Sequence, residues 1–238
     1  MDEELQLKLL PPLKALRVYH RHEVHGLSLV PQKGPVIVAC THSLATYDML
    51  LLMTAVFQRF GRFPRSLIDR AFYKFPGLGE LMEKFGSIVG SHENATTLLE
   101  NGEVLYLAPG GMQESLRPSD DRYQIIWGKR RGFAKLAIET GAPVVLAACP
   151  RADDIYKIYR SPVTSWVYEN FKLPFAICRG VGPTLIPRPV KLDHYLSEPI
   201  YPPKKKSDPA AFKRQIYHFH KKLVQTMNDM IKTGVVPH

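Results

Sequence analysis

Cysteine is scarce in this chain, with three in 238 residues: Cys40, Cys149 and Cys178. They are far apart, sit among apolar neighbours, and no two have metal-knuckle or redox-pair spacing. Neither a disulfide scaffold nor a cysteine metal site is therefore expected, and a reducing cytosol fits best. Long apolar runs are missing too. A spanning helix needs roughly 18 or more consecutive apolar residues, and the densest run, Met49–Phe57, is only about half that long. The opening MDEELQLKLL starts acidic and has no basic region ahead of an apolar core, so no secretory leader is expected. Acidic side chains are in deficit, 22 against 32 Lys and Arg, for a formal net charge of +10. Such an excess favours an anionic partner, whether nucleic acid, acidic membrane or a polyphosphate ligand. Aromatic residues are not interleaved with the basic ones on one face, which argues against nucleic acid. Internal repeats, low-complexity segments and a Gly-x-Ser-x-Gly elbow are also absent.

What is present reads as alternating short strands and helices. Leu5, Leu9, Leu10, Leu13 and Leu16 form a helical stripe, interrupted by Pro11-Pro12. Val18, His20, His22 and Val24 alternate as a strand would. Pro35–Cys40, Phe85–Gly90, Val104–Ala108 and Pro143–Ala148 are compact apolar runs of the buried-strand type. Helical patterns fall at 48–60, 95–100 and 132–140, the last stopped by Gly141. From Asp208 to Lys232, Phe212, Ile216, Phe219, Leu223, Met227 and Met230 recur every three or four positions, a stripe best read as core packing. The expected fold class is α/β, a mixed, largely parallel sheet flanked by helices. It forms one domain over residues 1–238, with 1–18 an N-terminal amphipathic arm and 208–232 a C-terminal amphipathic helix.

Two strand ends carry the chemistry. His42 follows the first buried strand and Asp48 lies six positions on, near a helix start. The two side chains can meet only if His42 lies in the turn and the chain doubles back. An imidazole there can take a proton from a hydroxyl while a carboxylate fixes its tautomer. The second element is Pro109-Gly110-Gly111-Met112-Gln113-Glu114-Ser115, whose glycines let backbone N–H groups approach an oxyanion or phosphate. Taken singly, each has a plainer reading, a structural histidine and a tight turn. Lys129, Arg130 and Arg131 precede a helix N-terminus, where anions are favoured; a solvated basic turn is the equal alternative. His20, His22 and His25 do not share one strand face, so no metal site is expected.

In order and spacing, GLSLVPQKGPVIVACTHSLATYD, YLAPGGMQESL, YQIIWGKRRGFAKLAIETGAPVV and IPRPVKLDHYLSEPI resemble the PlsC-like glycerophospholipid acyltransferase superfamily. The branch most similar contains transmembrane protein 68 and the diacylglycerol acyltransferase type-2 relatives. The resemblance implies a lipid O-acyltransferase moving a fatty acyl group from acyl-CoA, or acyl carrier protein, to an alcohol. His42 is then the general base and Asp48 its orienting carboxylate. Gly110 and Gly111 supply oxyanion N–H groups, Gln113, Glu114 and His92 lie at the substrate, and Lys129, Arg130 and Arg131 receive donor phosphates. The spacing departs from the family's commoner four intervening residues by one. Gln113 and His92 stand where phospholipid-making members often carry arginine, so a neutral acceptor such as diacylglycerol is expected. Otherwise Arg70 or Lys74 would have to hold an acceptor phosphate.

No cofactor or metal is required, because the acyl donor is a substrate. The implied partners are that donor, a lipid alcohol and a membrane surface, with the protein cytoplasmic and peripheral on the inner face. A lysophosphatidate-type acyltransferase and a catalytically silent lipid-binding protein are the rival readings.

Overall fold

The computed structural model describes residues 2–68, 70, 73, 76–171 and 175–233. Lys74 lies outside them. Three apolar runs form the centre of a seven-stranded sheet: β2 (Val36–Cys40), β5 (Val104–Leu107) and β6 (Val144–Ala148). Every residue of β2 and β6 is buried, as expected of parallel strands covered on both faces. Val38 stands opposite Tyr106 on one side and Val145 on the other. Beyond β5 come β3 (Arg65–Ile68) and β4 (Ser87–Val89); beyond β6 come β9 (Asp193–Leu196) and β1 (Glu23–His25). All neighbours run parallel except β6 and β9. A separate pair, β7 (Lys157–Ile158) and β8 (Cys178–Arg179), is antiparallel.

Helices cover both faces. One face, through Ile37, Leu105 and Leu146, packs on α4 (His92–Glu100), α6 (Gly132–Thr140) and α8 (Pro209–Thr233). Leu223, Met227 and Met230 are fully buried there, so the C-terminal stripe is core packing. The opposite face, through Val38 and Tyr106, packs on α2 (Tyr47–Phe60), where Met49, Leu52, Met53 and Val56 meet it. The apolar run in α2 is therefore a core helix. Among the described residues no helix is long and apolar enough to cross a membrane. The remaining helices are α1 (Glu3–Tyr19), α3 (Leu78–Lys84), α5 (Gly111–Ser115) and α7 (Pro162–Phe171).

The N-terminal segment differs from expectation in two ways. First, α1 continues through Pro11 and Pro12 without a break. Its start is capped by Asp2 on Leu5 N–H at 3.0 Å, and near its end Leu16 packs on a core cluster of Leu51, Ile155 and Leu192. Anchors at both ends offset the backbone bonds that the prolines remove. Second, the expected strand from Val18 shrinks to Glu23–His25. Arg21 takes a left-handed φ of 45°, and His22 N–H bonds back to Arg17 O at 2.8 Å, so the alternation of His20 and His22 arises from a turn.

Candidate active site

The C-terminal ends of β2 and β5 lie side by side, and the loops leaving them build the site, the usual position for a ligand in such sheets. After His42 the chain makes a tight double turn. Ala45 and Thr46 are both left-handed, at φ 56° and 52°. Neither is glycine, and such a residue costs roughly 1–2 kcal/mol. This turn takes up the five residues between His42 and Asp48 and delivers Asp48, 1% exposed, into the first turn of α2.

His42 Nδ1 lies 2.9 Å from Ser43 O. A carbonyl only accepts, so Nδ1 carries the hydrogen and Nε2 holds a lone pair. Burial lowers the His42 pKa and outweighs the raising effects of Ser43 O and Asp48; Arg117 lowers it further. The imidazole is thus a neutral base at pH 7. In this geometry the partner of Nδ1 is the backbone carbonyl of Ser43 and not the Asp48 carboxylate. Asp48 Oδ1 instead accepts from Ser43 Oγ, its Oδ2 faces His194 Nε2 at 3.4 Å, and it acts on His42 through space.

The Gly-Gly loop is organised around Glu114, 1% exposed. Its Oε1 accepts from His42 N–H at 3.3 Å and its Oε2 from Ile126 N–H at 3.4 Å. Arg117 Nη1 stands 3.8 Å from Oε1. Burial pushes the Glu114 pKa up to about 7 against the lowering effect of Arg117 and both N–H groups. A Cβ on Gly110 would stand 1.4 Å from Glu114 Oε2, so glycine is required there by the carboxylate. Gly111 is glycine for another reason, its φ of 56°. The sequence reading has both glycines offering N–H groups to an oxyanion, but in the structure the two do not both present a free one. Gly111 N–H is bound to Ala108 O at 3.1 Å, which leaves Gly110 N–H without a backbone partner among the described residues. Ser115 Oγ donates to Ser43 O at 3.3 Å and ties α5 to the His42 turn.

The basic cluster is divided. Arg130 Nη2 donates to Gln113 Oε1 and Nη1 to Ile126 O, each at 3.0 Å, so this guanidinium borders the Gly-Gly loop. Arg131 lies 4.8 Å over the Tyr217 ring of α8, and Lys129 is exposed. His92 is not brought to His42: its Nε2 is 2.9 Å from Glu139 on α6, which also pairs with Lys135 and Lys205.

Sequence reasoning missed Arg117, Asp153 and His194, and weighed His22 only as a metal ligand. Arg117, 6% exposed, pairs with Asp153 at 2.6 Å and so couples two loops far apart in the chain. Its spacing of three from Glu114 was the only local signal. Among the described residues, two groups of side chains have metal-ligand character: Asp48, Cys149 and His194, buried, and Glu23, His25 and Asp193, mostly exposed. In the second, Lys191 Nζ lies 3.2 Å from Asp193 and 3.4 Å from Glu23, an ammonium already answering the carboxylates.

A family model described as Acyltransferase matches residues 21–149, more than half of the chain, including His42, Asp48 and the whole Gly-Gly loop. The chain belongs to the acyltransferase family. A Bos taurus protein named "DGAT1/2-independent enzyme synthesizing storage lipids" is 34% identical over 189 residues, covering 79% of this chain and 54% of its own length. A Homo sapiens protein of the same name is 34% identical over 184 residues, covering 77% and 55%. This acyltransferase-family chain thus spans about half the length of the curated relatives it matches. Among solved structures, the 1-acyl-sn-glycerophosphate (LPA) acyltransferase PlsC from Thermotoga maritima is similar with a TM-score of 0.55. That likeness covers 94% of this chain and 82% of that one at 17% identity, and it shows the fold.

Proposed function

We propose that this acyltransferase-family domain moves a fatty acyl group from a thioester donor, acyl-CoA or acyl carrier protein, to a hydroxyl of a glycerolipid. The observation that carries the reading is the His42 ring, with Nδ1–H held by Ser43 O and the Nε2 lone pair left for substrate. Nε2 takes the acceptor hydroxyl proton as the oxygen attacks the thioester carbonyl carbon. The C–O bond forms, the carbonyl electrons move to oxygen, and Gly110 N–H is the local donor to that oxyanion. Collapse breaks the C–S bond, and the departing thiolate takes the proton from the imidazolium. A cysteine acyl-enzyme is disfavoured, since Cys40 and Cys149 are buried and burial pushes both thiols well up, keeping them protonated.

For the acceptor we favour a neutral lipid alcohol such as diacylglycerol, supported by Gln113 at the loop and by what the mammalian relatives are named for. Arg130 favours the second reading, a phosphorylated acceptor, because it places a cation against Gln113 that the loop sequence alone does not contain. The deciding experiment compares kcat/KM for diacylglycerol and lysophosphatidate in one detergent system, with His42→Ala as the inactive control. Preference for lysophosphatidate that collapses in Arg130→Ala would replace the first reading by the second. Absence of transfer to either acceptor would return the catalytically silent lipid-binding alternative.

The lipid is met at a membrane surface, in this reading through α7 and the stretch around Leu185 and Ile186. Large apolar side chains are exposed there, Trp166 at 57%, Leu185 at 69% and Ile186 at 58%. Together with the net positive charge they suit the anionic inner face of a membrane. Loss of liposome co-sedimentation in Trp166→Ser with Leu185→Ser tests this.

A further inference from the structure

Behind Asp48 lies a row of side chains that the reaction above does not use. Arg17, in the last turn of α1, donates from Nε to His22 Nδ1 at 3.0 Å. His22 Nε2 is 2.8 Å from His194 Nδ1, and His194 Nε2 is 3.4 Å from Asp48 Oδ2. The two imidazoles are 7% and 0% exposed and meet edge to face. They are brought together by the parallel pairing of β1 with β9, which sets Val24 opposite His194.

The direction of every bond follows from one end. A guanidinium only donates and keeps its protons. His22 Nδ1 must therefore be a lone-pair nitrogen, and neutral His22 carries its hydrogen on Nε2. That hydrogen is received by His194 Nδ1, so neutral His194 carries its own on Nε2, which faces Asp48 Oδ2 at 3.4 Å without closing a hydrogen bond to it. Burial, with His194 and Arg17 nearby, holds the His22 pKa down at about 2, consistent with an uncharged ring.

The same side chains offer a different chemistry, which the direction excludes. Ligand atoms of Asp48, Cys149 and His194 lie within 4.8 Å of one another, a set suited to zinc. A metal on His194 Nε2 needs the lone pair there, which moves the hydrogen to Nδ1 and makes it donate to His22 Nε2. His22 would then carry its hydrogen on Nδ1, facing Arg17 Nε–H, donor against donor. Arg17 thus commits the row to hydrogen bonding.

We infer that His194, its tautomer set by His22 and Arg17, is a positioning residue that holds the Asp48 carboxylate, Oδ2 toward Nε2–H and Oδ1 toward Ser43, behind His42. This inference rests on the reading of His42 and Asp48 as the reacting pair, and it makes α1 part of the working site. The test measures kcat and KM of the full chain for wild type, His194→Leu, His194→Gln, Asp48→Asn and His194→Leu with Asp48→Asn. Leucine fills the space without a donor, whereas glutamine supplies an amide oxygen for His22 and an amide N–H for Asp48. The expected result is a fall in kcat of about 10-fold for His194→Leu, the loss of a close polar contact to a buried carboxylate, with KM little changed. His194→Gln restores most of it, and the double variant is no slower than Asp48→Asn alone. Wild-type kcat in His194→Leu, with Asp48→Asn impaired, overturns this inference only; wild-type kcat in Asp48→Asn overturns the underlying reading with it. Zinc chloride supplies a second readout. Arg17→Met frees the row to reverse, so micromolar zinc should inhibit that variant and spare wild type, and stoichiometric zinc on purified wild type overturns the assigned direction.

Discussion

Gly110→Ala and Gly111→Ala look equivalent in sequence and should not be equivalent in the folded protein. At Gly110 the new methyl would stand 1.4 Å from Glu114 Oε2, 2.4 Å from its Cδ and 2.6 Å from its Cβ. All three belong to a buried side chain held by His42 N–H, Ile126 N–H and Arg117, so the carboxylate cannot simply swing aside. Displacing it strands two N–H donors and a buried guanidinium partner. A hydrogen bond to a charged group contributes roughly 1.5–3 kcal/mol, and overpacking alone costs roughly 1–3 kcal/mol. Bonds of this kind are not additive, so we expect a loss of about 3–5 kcal/mol. At roughly 2–4 °C per kcal/mol for a domain of this size, Tm should fall by about 6–20 °C. Gly111→Ala meets only Arg130 Nε at 4.0 Å, so its cost is the left-handed φ, about 1 kcal/mol and a few degrees. Thermal unfolding of the two variants beside wild type decides the matter. Equal Tm values for Gly110→Ala and Gly111→Ala would refute the argument that Glu114 dictates the glycine.

Glu114 also gives a pH dependence of stability. Its folded pKa, raised to about 7 chiefly by burial, exceeds the ordinary carboxylate value, so between those two the folded state binds more protons than the unfolded one. Stability contributed by the protonated acid is complete below the ordinary value and declines as pH rises through about 7; Glu114→Gln should flatten that decline in denaturant titrations run across the range. His42→Ala should lower acyl transfer by about 10²- to 10⁴-fold, as removal of a general base does, with Tm nearly unchanged. Asp48→Asn should be severely impaired as well, in single-turnover assays with acyl-CoA. Replacing Lys129, Arg130 and Arg131 by alanine should raise KM for acyl-CoA more than it lowers kcat, because phosphate contacts remote from the carbonyl bind ground and transition states alike. Arg130→Ala alone should account for most of that rise, since Arg131 is turned toward Tyr217; an equal share from Lys129→Ala would count against the observed placement.

The sequence by itself determined the sheet and its edge. Runs such as Val36–Cys40 and Val144–Ala148 are apolar at every position, which only a strand covered on both faces can use, and the residues after such strands lie where a parallel sheet opens to ligand. His42 and the Gly-Gly loop were legible for that reason, as were α2, α6 and α8 from their three-to-four spacing. Polar, very short strands were not: Arg65–Ile68 and Asp193–Leu196 carry no pattern that separates them from loop. What only the tertiary structure decided was the pairing of polar groups across long separations. Glu114 reaches back to His42, Arg117 to Asp153, and His22 to His194, over 72, 36 and 172 positions. Hydrogen bonds and ion pairs depend on a few ångströms and on which atom carries a proton, and neither is written in local periodicity. So the sequence pointed to the turn that carries His42, but only the packing of β1 on β9 and of α5 on that turn showed which polar groups surround His42 and Asp48.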